Sequence, residues 1–201
     1  MRPRGMSMRD RYRQSGVTLL ELMVVLIIVA IVLAFAVPSY RTLIMNNRQD
    51  TAIGDLGTAL NLARNTALSR NMPVGVCPVS PPAGAGQAPG NACVASFANG
   101  GSGTAWMVYL PSGGGAGTLT VLASYVVPGS DQLTFSSSIQ TNGSIGIVFN
   151  GRGLATASGL VTVCDARGAS YAQAVQVNTA GYIQTSPQRG VGPDGSALTC
   201  N

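Results

Sequence analysis

The stretch Ser15-Gly16-Val17-Thr18-Leu19-Leu20-Glu21-Leu22-Met23-Val24-Val25-Leu26-Ile27-Ile28-Val29-Ala30-Ile31-Val32-Leu33-Ala34-Phe35-Ala36-Val37 decides how this chain is read. From Val17 to Val37 it is apolar except for Thr18 and one carboxylate, Glu21. A helix of about 20 apolar residues crosses a hydrocarbon core roughly 30 Å thick, so the run is long enough to span a membrane. A carboxylate in the middle of such a span costs roughly 2.5–3.5 kcal/mol, and less near its end. A group kept at that cost implies a use for it.

The flank before the run, Met1 to Ser15, carries Arg2, Arg4, Arg9, Arg11 and Arg13 against one acid, Asp10. The positive-inside tendency holds such a flank in the cytoplasm and sends the rest of the chain out. A secretory signal ends in a small-residue cleavage site, and Ala34-Phe35-Ala36 offers one. The run exceeds the usual signal core of about 7–15 residues, however, and it continues into a helical pattern. A membrane span that stays attached is therefore expected.

The rest of the composition argues against an enzyme. The 201 residues allow one domain beyond the anchor, and they include no histidine. The usual general base and the commonest metal ligand are thus missing, and no cofactor is expected. Ser137 or Ser138 with Asp131 makes no triad without a base. The net charge of +5 overstates basicity. All twelve cations are arginines, and five of them, with Asp10, precede Val17. The chain from Val17 onward has seven arginines and six acids, a net +1. An anion site would therefore have to be a local patch.

Four cysteines, Cys77, Cys93, Cys164 and Cys200, include no C-x-x-C pair. Outside the cytoplasm they read as two disulfides, with three connectivities possible. Cys77–Cys93 would close the Pro/Gly-rich loop Pro78 to Ala92, and Cys164–Cys200 would staple the tail to the core. That pairing is the one expected, because each bond joins a strand end to a segment lacking other anchors.

Pro38 removes one backbone donor and is expected to kink the helix rather than end it. Beyond Arg41, Ile53, Leu56, Leu60, Ala63 and Ala67 recur at spacings of three and four, the signature of an amphipathic face. Gly54 and Gly57 weaken that helix by about 1 kcal/mol each, and Asn71-Met72-Pro73 ends it. From Thr18 to Ser69 it would be about 78 Å long.

From Val74 the pattern becomes that of strands. Candidates are Val74–Cys77, Trp106–Leu110, Leu119–Val126, Gln132–Ser136, Ile145–Asn150, Leu160–Asp165, Ala174–Asn178 and Tyr182–Gln184. Turns such as Ser112–Gly117, Asn142-Gly143 and Asn150-Gly151 separate them, and Ser80–Gly103 reads as a surface loop. A helix packing its apolar face on a small antiparallel sheet follows, an α+β architecture.

The segment Ser15-Gly16-Val17-Thr18-Leu19-Leu20-Glu21 resembles the class III signal of type IV pilins and type II secretion pseudopilins. In the head, Val76-Cys77 with Cys93, Trp106-Met107-Val108-Tyr109, Ile147-Val148-Phe149-Asn150-Gly151-Arg152-Gly153, Val161-Thr162-Val163-Cys164-Asp165 and Val175-Gln176-Val177-Asn178 with Gly181 resemble the GspH/FimT family. Within it, the two cysteine pairs look more like the pilus-associated FimT or FimU type.

The resemblance implies a pilin-like α+β fold. It implies a leader at 1–16, a transmembrane and assembly helix at 17–40, an amphipathic helix at 41–72 and a β-rich head at 73–201. Prepilin peptidase would cut between Gly16 and Val17, where the family usually has phenylalanine, and the new amine would be methylated. Glu21 becomes the fifth mature residue, one helical turn from that amine. In a low dielectric an unpaired charge is costly, so Glu21 of one subunit meeting the amine of its neighbour would set the assembly register.

The partners implied are other pilins or pseudopilins and the inner membrane. The subunit would sit there with a periplasmic head before it joins a pilus or pseudopilus. Its expected role is priming or capping type IV pilus assembly. The alternatives are the H pseudopilin of type II secretion and a DNA-uptake receptor. For the last, some relatives carry Gly-Arg-x-Arg where this chain has Gly181-Tyr182-Ile183-Gln184. The remaining DNA-binding candidates are Arg152, Arg167 and Arg189, and the expectation is weak or no binding.

Overall fold

The computed structural model describes residues 17–80, 93, 105–111, 119–127, 133–139 and 146–200. Expectations for Gly16, Asp131, Ser112–Gly117, Asn142-Gly143 and most of Ser80–Gly103 lie outside the described residues. The chain forms two units, Met1–Thr42 and Leu43–Asn201.

Helix α1 runs from Leu19 to Arg70. Thr18 begins it as an N-cap: its hydroxyl accepts from the Glu21 N–H at 3.2 Å, and its carbonyl accepts from the Leu22 N–H at 3.1 Å. A threonine cap with a glutamate three residues on is the capping-box pattern. The helical assignment continues through Pro38, where the Thr42 hydroxyl donates to the Pro38 carbonyl at 3.2 Å. In the first unit every large apolar side chain from Val17 to Phe35 is exposed within the chain. By length and composition this part of α1 can cross a membrane. At the other end, Asn71 takes a left-handed φ of 48° and the Met72 N–H reaches back to the Ala67 carbonyl at 3.3 Å. That Schellman-type closure, with Pro73 beyond it, stops the helix.

In the second unit α1 buries Ala52, Ile53, Leu56, Ala59, Leu60, Ala63 and Ala67 along one face. Among the described residues eight strands follow: β1 (Val74–Val79), β2 (Ala105–Leu110), β3 (Thr120–Val126), β4 (Leu133–Ser137), β5 (Ile147–Phe149), β6 (Gly159–Asp165), β7 (Gln173–Val177) and β8 (Ile183–Thr185). Each overlaps one of the eight candidates from the sequence. They form two four-stranded antiparallel sheets where one small sheet was expected. One sheet has the order β3-β2-β1-β5 and the other β4-β6-β7-β8. The chain changes sheet between β3 and β4, returns to the first sheet for β5 and crosses again to β6, so β4 pairs with β6 rather than with either sequence neighbour.

The two sheets and α1 share one core. Alternate residues of β1 and β2 (Val74, Val76, Trp106, Val108) meet Phe135, Val161, Val163, Val175 and the helix face. Trp106 lies edge-on to Phe135, with ring centroids 5.2 Å apart. The intervening residues of β1 and β2, Cys77, Val79, Ala105, Met107 and Tyr109, form a second cluster on the reverse of the first sheet. Gly75 belongs to this reverse face, opposite Tyr109 in the register. A β-carbon on Gly75 would run into the Tyr109 ring, so the glycine makes room for that buried aromatic. The reverse of the second sheet is closed by Cys164, Ala172, Ala174 and Leu198.

Candidate functional site

The first candidate is the start of α1. Val17 precedes the helix, and Glu21 sits in its first turn, beside the partial positive charge of the helix N-terminus. Among the described residues the Glu21 carboxylate has no ion-pair partner. The sequence reading missed the cap on Thr18. Its signal was present, since Thr18-x-x-Glu21 before an apolar run marks a helix start.

Both cysteine pairs are disulfides, Cys77–Cys93 and Cys164–Cys200, with Cα–Cα distances of 5.6 and 6.0 Å. Each strand cysteine lies on the reverse of its sheet, away from the shared core. Cys93 thereby joins the cluster behind the first sheet. Cys200 ties down the tail that covers the second, where Leu198 N–H bonds the Gly190 carbonyl and Gly190 N–H bonds the Ala172 carbonyl.

The three candidate arginines do not gather. Arg167 makes a bidentate pair with Asp165, donates to the Asn46 side chain at 2.8 Å and lies 4.4 Å from the centre of the Tyr171 ring. Arg189 pairs with Asp50 at 2.6 Å and donates to the Gln49 side-chain oxygen and the Asn46 carbonyl. Both guanidinium groups therefore bind the Asn46–Asp50 turn of α1 to the second sheet and the tail. Gln49 is fully buried there, and its Nε2 has no partner among the described residues. Sequence reading missed Asn46, Gln49 and Asp50, because their arginine partners lie 121 to 140 residues away. Asp165, only two residues from Arg167, was missed although its partner is local.

Arg152 lies elsewhere. Asn150 closes its turn by accepting from the N–H groups of Arg152 and Leu154 at 2.9 and 3.1 Å. This turn meets the C-terminal end of α1: the Arg64 Nε donates to the Gly153 carbonyl at 3.3 Å. Arg64 also lies 5.8 Å from the centre of the Tyr182 ring. Gly181, with φ 79°, lets the β7–β8 turn fit against the Gly153 carbonyl, where a β-carbon would collide. From Asn46 to Leu68, beside Gly153, α1 advances about 33 Å, so Arg152 is far from Arg167 and Arg189.

Among the described residues no group of three or more His, Cys, Asp or Glu side chains is placed to hold a metal ion. An open cavity of about 300 Å³ beside α1 is lined by Ile44, Asn47, Arg48 and Thr51. It holds no carboxylate or thiol among these residues.

The fold is similar to solved structures of the type IV minor pilin FimU from Pseudomonas aeruginosa strain PAO1. One crystal form superposes with a TM-score of 0.50 at 14% identity, over 70% of this chain and 90% of that one. A second gives 0.46 at 14% identity, over 69% and 92%. No curated protein matches by sequence. The model of the prokaryotic N-terminal methylation motif matches residues 11–37. The model described as type II transport protein GspH matches residues 52–181, and the chain belongs to that family of pilin-like subunits.

Proposed function

We propose that this chain is a minor pilin that primes or caps a type IV pilus. Prepilin peptidase cuts it between Gly16 and Val17, and methylation of the new amine follows. Until assembly it sits in the inner membrane as a single-pass subunit with a periplasmic head. The observation that carries this reading is the apolar half of α1, exposed on every side within the chain, with one carboxylate, Glu21, in its first turn. An apolar surface of that length needs lipid or other helices around it. Glu21 pairs with the Val17 amine of a neighbouring subunit, so each charge offsets the cost of burying the other.

The test is Glu21→Ala. The variant should insert normally, because it removes a charge from the span. It should be depleted from sheared pili while its membrane level stays at wild type. Equal amounts in the pili of mutant and wild type would refute the pairing. The description of the matched family model favours a second reading, a pseudopilin of a type II secretion machine. Deleting the gene decides between the two. Loss of pili with normal exoprotein secretion supports the pilus, and the reverse supports the secretion machine.

A further inference from the structure

We propose that the corner formed by the C-terminal end of α1, the Asn150–Leu154 turn and the β7–β8 turn docks an acidic protein surface with an apolar centre. The proposal does not depend on which machine the chain serves.

The corner is fixed by three contacts already described or adjacent to them. Arg64 bonds the Gly153 carbonyl, the backbone of Asn71 packs on Gly151, and the Ala155 N–H donates to the Thr179 carbonyl at 3.1 Å. These contacts bring Arg64, Arg70 and Arg152 to one end of the head. None of the three forms an ion pair among the described residues, whereas Arg167 and Arg189 are both paired. Arg70 and Arg152 are exposed. Three of the seven arginines after Gly16 thus lie at this end of the head without an ion pair among the described residues, in a stretch of chain whose net charge is only +1.

The same corner exposes apolar surface. Leu68, Met72 and Leu154 are each at least 40% exposed, and Tyr182 is 63% exposed. The Leu68 side chain lies against Gly153, one residue from both Arg152 and Leu154. Arginine, tyrosine and methionine are the residue types enriched in protein–protein interfaces. Carboxylates opposite the three guanidinium groups would complement their charge and steer the encounter. A nucleic acid fits less well. Its affinity comes from many phosphate contacts, and three cations supply few. A phosphate backbone also offers nothing to cover Leu68, Met72 and Leu154.

The test uses the full chain in detergent micelles and a fluorescent peptide of alternating glutamate and leucine. A lysine–leucine peptide and a DNA duplex serve as comparisons. The acidic peptide should bind, with affinity falling as salt rises. Arg70→Gln combined with Arg152→Gln should weaken it by roughly tenfold or more. Leu154→Ser should weaken it with little change in salt dependence. Arg64 also supports the Gly153 turn, so it is left intact, and unchanged thermal unfolding of the variants verifies the fold. Absence of acidic-peptide binding, equal binding of the lysine peptide, or indifference to these substitutions would overturn the proposal. So would tighter binding of the duplex that is lost in the double variant, which would make the corner a nucleic-acid site.

Discussion

Gly54 lies on the exposed side of α1, and a β-carbon there would meet nothing within 4 Å. Gly54→Ala should therefore stabilise the head by about 1 kcal/mol, chiefly by restricting the unfolded chain. Thermal unfolding of the full chain in detergent would show the midpoint rising by about 2–4 °C. Its neighbour Asp55 behaves differently. Burial raises its carboxyl above 3.8, so the folded state holds the proton more tightly than the unfolded one. The resulting stability is complete below pH 3.8 and is lost as pH rises through the folded value. At neutral pH the charged carboxylate is a cost, and Asp55→Asn should raise the urea midpoint there but not in acid. The pairing of Arg64 with Gly153 and Tyr182 was not legible at this scale. Nothing local in the sequence announces a contact across 89 or 118 residues, whereas the Thr18 cap lay within four.

The strands of the head were legible as elements because glycine and asparagine turns interrupt β-branched runs. Their assembly into two sheets was not. Period-two alternation says which residues share a face, and it is silent on which strand is the neighbour. In β1 and β2 even the alternation is muted, since both faces are buried. The cysteines explain how those reverse faces are closed. In the loop-entropy picture, removing Cys77–Cys93, with a separation of 16, should cost up to about 3 kcal/mol. Removing Cys164–Cys200, with a separation of 36, should cost up to about 4 kcal/mol. Denaturant midpoints of Cys77→Ser/Cys93→Ser and Cys164→Ser/Cys200→Ser double variants would measure both. Loss of the second bond should also free the tail beyond Arg189, seen as new protease sites after Gly190. A peptide map under non-reducing conditions that shows crossed pairs would refute this account.

For the molecule as a whole, processing should alter its electrostatics as well as its length. Cutting after Gly16 removes five arginines and Asp10, taking the net charge from +5 to +1. Mass spectrometry of membrane material should find the N-terminus at Val17, and isoelectric focusing should show an acidic shift relative to a Gly16→Leu variant that resists cutting. An N-terminus at Met1 or after Ala36 would contradict it. Trp106, described above as the ring set edge-on to Phe135 where the two sheets meet, is the chain's sole tryptophan and is fully buried. The molecule thus carries a single tryptophan, placed in the head and absent from the apolar half of α1, and this ring can be excited selectively above the tyrosine absorption. Its emission should be blue-shifted in the native state and move to the red when the sheets part. In the purified full chain, light emitted from this one ring can therefore report head unfolding in detergent or in lipid vesicles alike, with no label attached and no tryptophan signal from the anchor.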